Sequence, residues 1–409
     1  MKEKVLEFIN RNWKNTIKSN SELPFPYSTP NTGIYSDFYY WDLYFINKGL
    51  LLSNMPEQAE NNIEDMVYFV EKLGYVPNSN SGEMRNRTQP PVLTFCVWDL
   101  YQYTQDKNTI NKYIDSLIRE HTFFQERRMT EIGLNAYMCD DKYNSYESIM
   151  NHYRYLACRA GESSEDPQIQ YQIGRDIIAV AESGLDFNAR FKTDKREMAA
   201  SEFAHLDLNC WLYAVEVRLS QMLSVINRNE EAKQFKRLAA QRKELINKYF
   251  FNKDQGIYLD YHLSDGKHSK VVTAVSLYPF AMGISKDKES ALKVLKQLEF
   301  DCGVSAGAYH KDGPFYQWDY PVMWGETTLI VILALLNVGV VKDAERVINK
   351  YMSVVEKQFK ITGLLWEKYD SRDGSIMNAE YDAPPFLGWT AAVYEIFALE
   401  GTNIKYTIV

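Results

Sequence analysis

The chain has little of what redox, metal or phosphate chemistry needs. It holds five cysteines in 409 residues. Cys96, Cys139, Cys158, Cys210 and Cys302 are odd in number, far apart and never spaced CxxC, which excludes a disulfide framework and a zinc site. Cys96 and Cys210 fall inside apolar helical patterns and read as small core residues. There are six histidines and no HExxH. His205, on an apolar helical face, reads as a core residue. Neither GxxxxGK[ST] nor GxGxxG occurs, so no phosphate cradle is encoded, and the serine-hydrolase GxSxG is missing too. No apolar run approaches the roughly 18 residues of a membrane span; the best, from Leu329 to Val340, is too short. The first residues, Met1 to Trp13, carry charges throughout instead of the unbroken apolar stretch of a signal peptide. Positive charge is also short: 46 Lys and Arg against 54 Asp and Glu give a net charge of −8. No basic field is available for nucleic acid or an anionic membrane. These absences predict a cytoplasmic protein with no metal, no cofactor and no nucleic-acid or membrane partner. No feature points to an oligomeric state.

What the chain has is apolar and aromatic material: 45% apolar residues, with 8 Trp, 29 Tyr and 20 Phe. Most of it follows helical periodicity. The spacing predicts about twelve helices, near 3–17, 38–53, 56–73, 90–104, 107–128, 203–225, 229–249, 271–281, 286–298, 319–338, 341–358 and 386–400. Pro56 and Pro90 suit helix entries, and Gly74 and Gly339 suit helix ends. Residues 254–266 alternate and then turn at Asp265-Gly266, the pattern of a short hairpin. Residues 129–200 read as one long irregular region, functional or hiding short elements. No Gly/Ser/Pro-rich linker divides the chain, and no fixed-period repeat marks a solenoid. The expected fold is therefore all-α: an (α/α)6 barrel filling residues 1–409 as a single domain, with a short β-hairpin and long loops at the active-site end.

Carboxylates beside aromatics dominate the polar motifs. Tyr39-Tyr40-Trp41-Asp42 opens a helix; Trp41 can stack on a sugar face and Asp42 can accept hydroxyl hydrogen bonds, or both can serve the helix itself. Asn78-Ser79-Asn80-Ser81-Gly82 leads into Arg85-Asn86-Arg87-Thr88-Gln89-Pro90-Pro91, where Arg87 and Gln89 can donate to sugar oxygens. In Glu182-Ser183-Gly184-Leu185-Asp186-Phe187, apolar neighbours can desolvate Asp186 and raise its pKa, as a general acid requires. Gln317-Trp318-Asp319-Tyr320-Pro321 repeats the aromatic–carboxylate pattern. Trp366-Glu367-Lys368-Tyr369-Asp370 is followed by Glu380-Tyr381, in a loop before the last helix, and then by Gly388-Trp389-Thr390. Paired carboxylates among aromatics belong to glycoside hydrolysis.

In these motifs, together with Arg159-Ala160-Gly161-Glu162-Ser163, the chain resembles the trehalase family of glycoside hydrolases, family 37, and more distantly family 63. Six stretches keep the family order across nearly the whole chain. The resemblance implies an (α/α)6 barrel and an inverting mechanism, with Asp186 as general acid and Glu380 as general base. It implies that Trp41, Asp42, Asn78, Arg87, Gln89, Arg159, Glu162, Gln317 and Trp318 line the sugar subsites. There are departures. The family's PGGRF-type arginine is replaced by Ile34. The glycine-rich run before the base becomes Ser375-Ile376-Met377-Asn378-Ala379. Gly161 is an extra residue, and Trp-x-Pro becomes Trp324-Gly325-Glu326. The expected substrate is a small α-glycoside, trehalose first, with another α-glucoside or α-mannoside such as a glycosylglycerate as the alternative. A sugar-binding relative without catalysis is disfavoured by the presence of both carboxylates. A histidine-dependent sugar isomerase or epimerase is disfavoured because the candidate motifs offer no histidine.

Overall fold

The computed structural model describes residues 1–311, 313, 315–385 and 388–409. Its helices are α1 (Lys2–Asn12), α2 (Tyr40–Leu52), α3 (Pro56–Leu73), α4 (Leu93–Thr104), α5 (Lys107–Arg127), α6 (Tyr146–Leu156), α7 (Pro167–Glu182), α8 (Leu206–Val225), α9 (Asn229–Tyr249), α10 (Tyr278–Ala281), α11 (Lys288–Leu298), α12 (Gly325–Asn337), α13 (Val341–Thr362) and α14 (Gly388–Glu400). Phe386 and Leu387, with which the expected last helix begins, lie outside the described residues.

Six helices close a ring. α2 packs on α4, α4 on α8, α8 on α10, α10 on α12, α12 on α14, and α14 returns to α2. Their sequences suit an inner position, because helices buried on every side must be apolar on every side. In α12 the buried run extends without interruption from Gly325 to Leu335, and in α2 from Tyr40 to Leu51. The outer helices α1, α3, α5, α9, α11 and α13 carry apolar stripes instead. In α9 the buried residues are Ala232, Phe235, Ala239, Arg242 and Ile246, three or four positions apart on one face. Inner and outer sets together make the expected six-hairpin barrel.

Where the fold departs from expectation, pairing or capping is the cause. The irregular region 129–200 contains α6 and α7, which pack on each other. α6 buries only Ile149 and Met150, too thin a stripe to show as periodicity. α7 does carry a start signal: Asp166 accepts from the Gln168 N–H, and Pro167 occupies the first turn. The helices expected from 203 and 319 begin later because their first residues are strands. Phe203–Ala204 pairs with Tyr261–His262, and Val322–Trp324 pairs with Lys368–Asp370, both antiparallel. The expected helix 271–281 is reduced to a 3-10 turn, Ala274–Leu277, followed by the four residues of α10. The expected hairpin is split. Ile257–Tyr258 pairs backwards with Phe251–Asn252, and the Asp265-Gly266 turn closes an isolated Tyr261–His268 bridge.

The ring has two unlike ends. One is shut by charge and by the C-terminal residues. Lys48 Nζ lies 2.6 Å from Asp99 Oδ2 and 2.8 Å from the Tyr406 carbonyl, and Ile408 is buried. The other end gathers the starts of α2, α4, α12 and α14 around a cavity. Among the described residues, no helix is long and apolar enough to cross a membrane.

Candidate active site

The cavity at the open end measures about 290 Å³. Inner helices reach it with their N-terminal turns: Trp41 and Asp42 from α2, Trp389 from α14, and Gln89 and Trp324 from just before α4 and α12. Helix N-termini carry partial positive charge and unpaired N–H groups, so this end of the barrel suits carboxylates and hydroxyl-rich ligands.

Asp186 comes from the other side. α7 ends at Ser183, and Gly184 follows at φ 77°, a left-handed turn that glycine adopts without cost. That turn sends Leu185 and Asp186 back towards the ring. The segment is then clamped to 316–319. Trp318 N–H donates to the Phe187 carbonyl at 3.1 Å, and Ala189 N–H donates to both Asp319 carboxylate oxygens at 3.0 and 3.2 Å. Gln317 Nε2 donates to the Asp186 carbonyl at 2.5 Å. Burial pushes the Asp186 carboxyl up to about 6, with Arg159 and Arg87 opposing the rise and Glu380 adding to it. A carboxylic acid that keeps its proton near neutral pH is what a general acid requires.

Most expected sugar-contacting residues line this one cavity: Trp41, Asp42, Asn78, Arg87, Gln89, Arg159, Gln317 and Trp318. Several owe their position to local bonds. Gln89 Oε1 accepts from Trp41 N–H at 2.9 Å, and Asn78 bonds through its backbone to Arg87 and Tyr40. Arg87 is buried, and its Nε has no protein partner, leaving a donor for a ligand. Trp41 stands edge-on to Phe45 and Trp211, so its ring is shared between the core and the cavity wall. Trp318 stacks on Trp324 at 4.0 Å, with Trp389 edge-on to both.

Two expected site residues do not line the cavity. Glu162 turns instead to Arg196, whose Nε lies 2.8 Å from it, and to the Met198 N–H. This ion pair braces the turn after α6. Glu380 is held by Arg159, with Nε and Nη2 at 2.8 and 2.7 Å, and accepts from Gln317 N–H at 3.2 Å. Ile34, at the departure from the family motif, is 68% exposed and also lies off the cavity.

Sequence reasoning passed over Glu367, Tyr35, Tyr39, Tyr381, Trp324 and Trp389, all of which line the cavity. For Glu367 a signal existed, because Trp366-Glu367 repeats the aromatic–carboxylate pattern. The structure brings it to the floor. Lys368 Nζ lies 2.8 Å from Glu367 Oε2, and Tyr381 O–H donates to Oε1 at 3.0 Å. Burial raises Glu367 against the opposing pull of Lys368 and Tyr381. Asp42 rises well above the usual carboxylate range, by burial and by Glu367. Behind them Glu326, fully buried with an unpartnered Oε2, is pushed up by burial, Asp42 and Glu367. The cavity thus presents a carboxyl group raised by burial, a lysine-paired carboxylate, two arginines and a tryptophan cluster.

The family model described as "Trehalase" matches residues 5–401. The periplasmic trehalase of Salmonella newport is 27% identical over 94% of this chain and 70% of its own length. That of Citrobacter koseri is 28% identical over 91% of this chain and 67% of its own. Among solved structures, the neutral trehalase of Saccharomyces cerevisiae superposes with a TM-score of 0.74 at 20% identity, covering 96% of this chain and 80% of that one. A GH63 mannosylglycerate hydrolase from Thermus thermophilus superposes at 0.65 and 14% identity, covering 96% and 98%. The two structural likenesses are likenesses of fold.

Proposed function

The chain belongs to the trehalase family of glycoside hydrolases, and from that premise we propose that its cavity hydrolyses trehalose with inversion, the whole of residues 1–409 acting as one catalytic domain. The observation that carries this reading is Asp186, pushed up to about 6 in the cavity, with the Glu380 carboxylate acting on it from beside Arg159. Asp186 gives its proton to the glycosidic oxygen as the bond to the anomeric carbon breaks. Water attacks that carbon from the opposite face and loses a proton to the general base. Arg87, Asp42, Asn78 and Gln89 take the sugar hydroxyls, and the tryptophans take its apolar faces.

Two carboxylates compete for the base. The sequence motif and the charge that acts on Asp186 favour Glu380. Glu367 lines the cavity but is raised by burial and tied to Lys368 and Tyr381, whereas Glu380 is held by Arg159 and Gln317, both on the cavity wall, and its charge acts on Asp186. Of Glu380→Gln and Glu367→Gln, the variant whose residual kcat/KM loses its acidic limb identifies the carboxylate that activates water.

Early-time NMR of trehalose hydrolysis tests the proposal. Inversion at one centre releases α- and β-glucose in equal amounts before mutarotation. Release of α-glucose alone would mean retention and would overturn the acid–base pair. Other α-linked disaccharides and glycosylglycerates, run alongside, test the substrate; faster turnover of a glycosylglycerate would displace trehalose. For the compartment, the five free thiols, including exposed Cys158, support a reducing cytoplasm, while the named relatives are periplasmic. Cell fractionation decides between them.

A further inference from the structure

Arg87 reaches the cavity from a loop, yet its side chain is not free to swing. The backbone around it is fixed first. The Arg87 carbonyl accepts from Asn78 N–H at 2.9 Å, and Thr88 N–H donates to Glu182 Oε1 at 3.1 Å. Those bonds place the main chain and leave the guanidinium undecided. A separate relay of amides holds it. Arg87 Nη1 donates to Asn86 Oδ1 at 2.8 Å, and Asn86 Nδ2 donates to Asn144 Oδ1 at 2.7 Å. Asn144 Nδ2 donates to the Asn86 and Asp140 carbonyls, both at 3.0 Å. Asp140 is itself gripped by Arg127, whose Nε lies 2.8 Å from Oδ2. Asn144 is buried, and its amide oxygen and nitrogen are both engaged in this relay. A buried amide satisfied in this way is a rigid part of the structure. It directly precedes Ser145, the cap of α6, so the relay ties the start of α6 to the loop that carries Arg87.

We propose that Asn86 and Asn144 are positioning residues for glycoside hydrolysis: their paired amides aim the Arg87 guanidinium at the sugar and at Asp186. The proposal rests on the reading of Arg87 as a sugar contact and Asp186 as the acid. Neither asparagine lines the cavity, whereas Arg87 does, and its buried Nε has no protein partner. Arginine presents its donors in a rigid planar fork, so holding Nη1 sets the direction of the donors that remain. The position of its charge is set as well. Arg87 and Arg159 oppose the rise of Asp186, Glu380 adds to it, and the hydroxyls of Tyr35 and Tyr381 face the same carboxyl. Around Arg87 itself stand Asp186, Glu182, Tyr39 and His152. Asn86 and Asn144 carry no charge, so any effect they have on Asp186 passes through Arg87.

The test is a double-mutant cycle: kcat and KM for trehalose, across pH, in Asn144→Ala, Arg87→Ala and the two combined. In Asn144→Ala, KM rises about ten-fold. The alkaline limb of kcat/KM moves up by about half a pH unit, because a swinging guanidinium favours ionised Asp186 less. In the Arg87→Ala background, Asn144→Ala changes kcat/KM by less than about two-fold, since nothing is left to aim. Should Asn144→Ala not fold, Asn86→Ala cuts the relay one bond nearer to Arg87 and carries the same measurements. A folded variant with the KM and alkaline limb of the parent enzyme overturns the proposal. Equal losses in both backgrounds overturn it too, because they mark a loosened loop and not an aimed side chain. Arg87→Ala separates the two ideas. Near-normal KM and kcat there remove Arg87 as a sugar contact and the proposal with it. An impaired Arg87→Ala beside equal losses from Asn144→Ala keeps that contact and removes only the role of the amide relay.

Discussion

Glu182 and Asp186 sit four residues apart at the end of α7, both inside the barrel, and are treated in opposite ways. Glu182 receives four N–H groups: Arg128 Nε and Nη2 at 2.8 and 2.7 Å, Thr88 N–H at 3.1 Å and Met138 N–H at 3.0 Å. Nearby Asp140 is driven up by burial, but hydrogen bonds from Arg127 and the Lys142 N–H, with the charge of Arg128, bring it below the ordinary carboxylate range. Asp186 receives no side-chain hydrogen bond on its carboxylate among the described residues, and burial holds it up to about 6. The first arrangement fixes a charge and thereby fixes the Arg87-Thr88 loop. The second leaves a proton free to move. A buried carboxylate with all its lone pairs engaged is architecture; one left short of donors is chemistry.

The largest effect that can break this contrast is on rate. Asp186→Asn should lower kcat by about 10²- to 10⁴-fold with its thermal melt retained, and Glu380→Gln should do the same. Near-normal turnover in either removes that residue's role. Glu182→Gln should behave the other way, losing about 3–5 kcal/mol of stability in denaturant titration because the buried Arg128 loses its closest carboxylate and keeps only that of Asp140, at 3.4 Å. If it kept its stability and lost only activity, the two carboxylates would not differ in kind.

A smaller effect concerns pH. Asp186 holds its proton in the folded chain up to about 6 but loses it near 3.8 when unfolded, so stability from this group is present at low pH and fades as pH rises through about 6. Asp186→Asn should therefore flatten the fall of Tm between pH 4 and 7, and an unchanged slope would mean that the carboxyl is not raised. The same ionisation should place the alkaline limb of kcat/KM near pH 6. The smallest effect should come from Ile34→Ala. The side chain is exposed and off the cavity, so stability should change by no more than about 0.5 kcal/mol and KM should not move. A raised KM would bring this loop into the sugar site.

The barrel was legible in the sequence because inner and outer helices leave different marks: continuous apolar runs such as that in α12, and three-to-four spacing such as that in α9. α6 was not legible because it buries almost nothing; α7 was missed although Asp166-Pro167 marks its start. Asp186 and most cavity-lining residues were legible because the motifs that carry them are short, local and set at helix ends. Glu162 was misplaced because a motif names a carboxylate without saying which way it points, and Arg196 turned it off the cavity.

By itself, then, the sequence determined a barrel of about twelve helices, carboxylates and aromatics gathered at helix starts, and the placing of Asp186 among apolar neighbours. Only the tertiary structure decided which carboxylates are satisfied and which are left short of donors. Hydrogen bonds and desolvation depend on groups far apart in the chain. Arg128 meets Glu182 across 54 residues, and Gln317 meets Lys368 across 51. No local pattern records that distribution of partners.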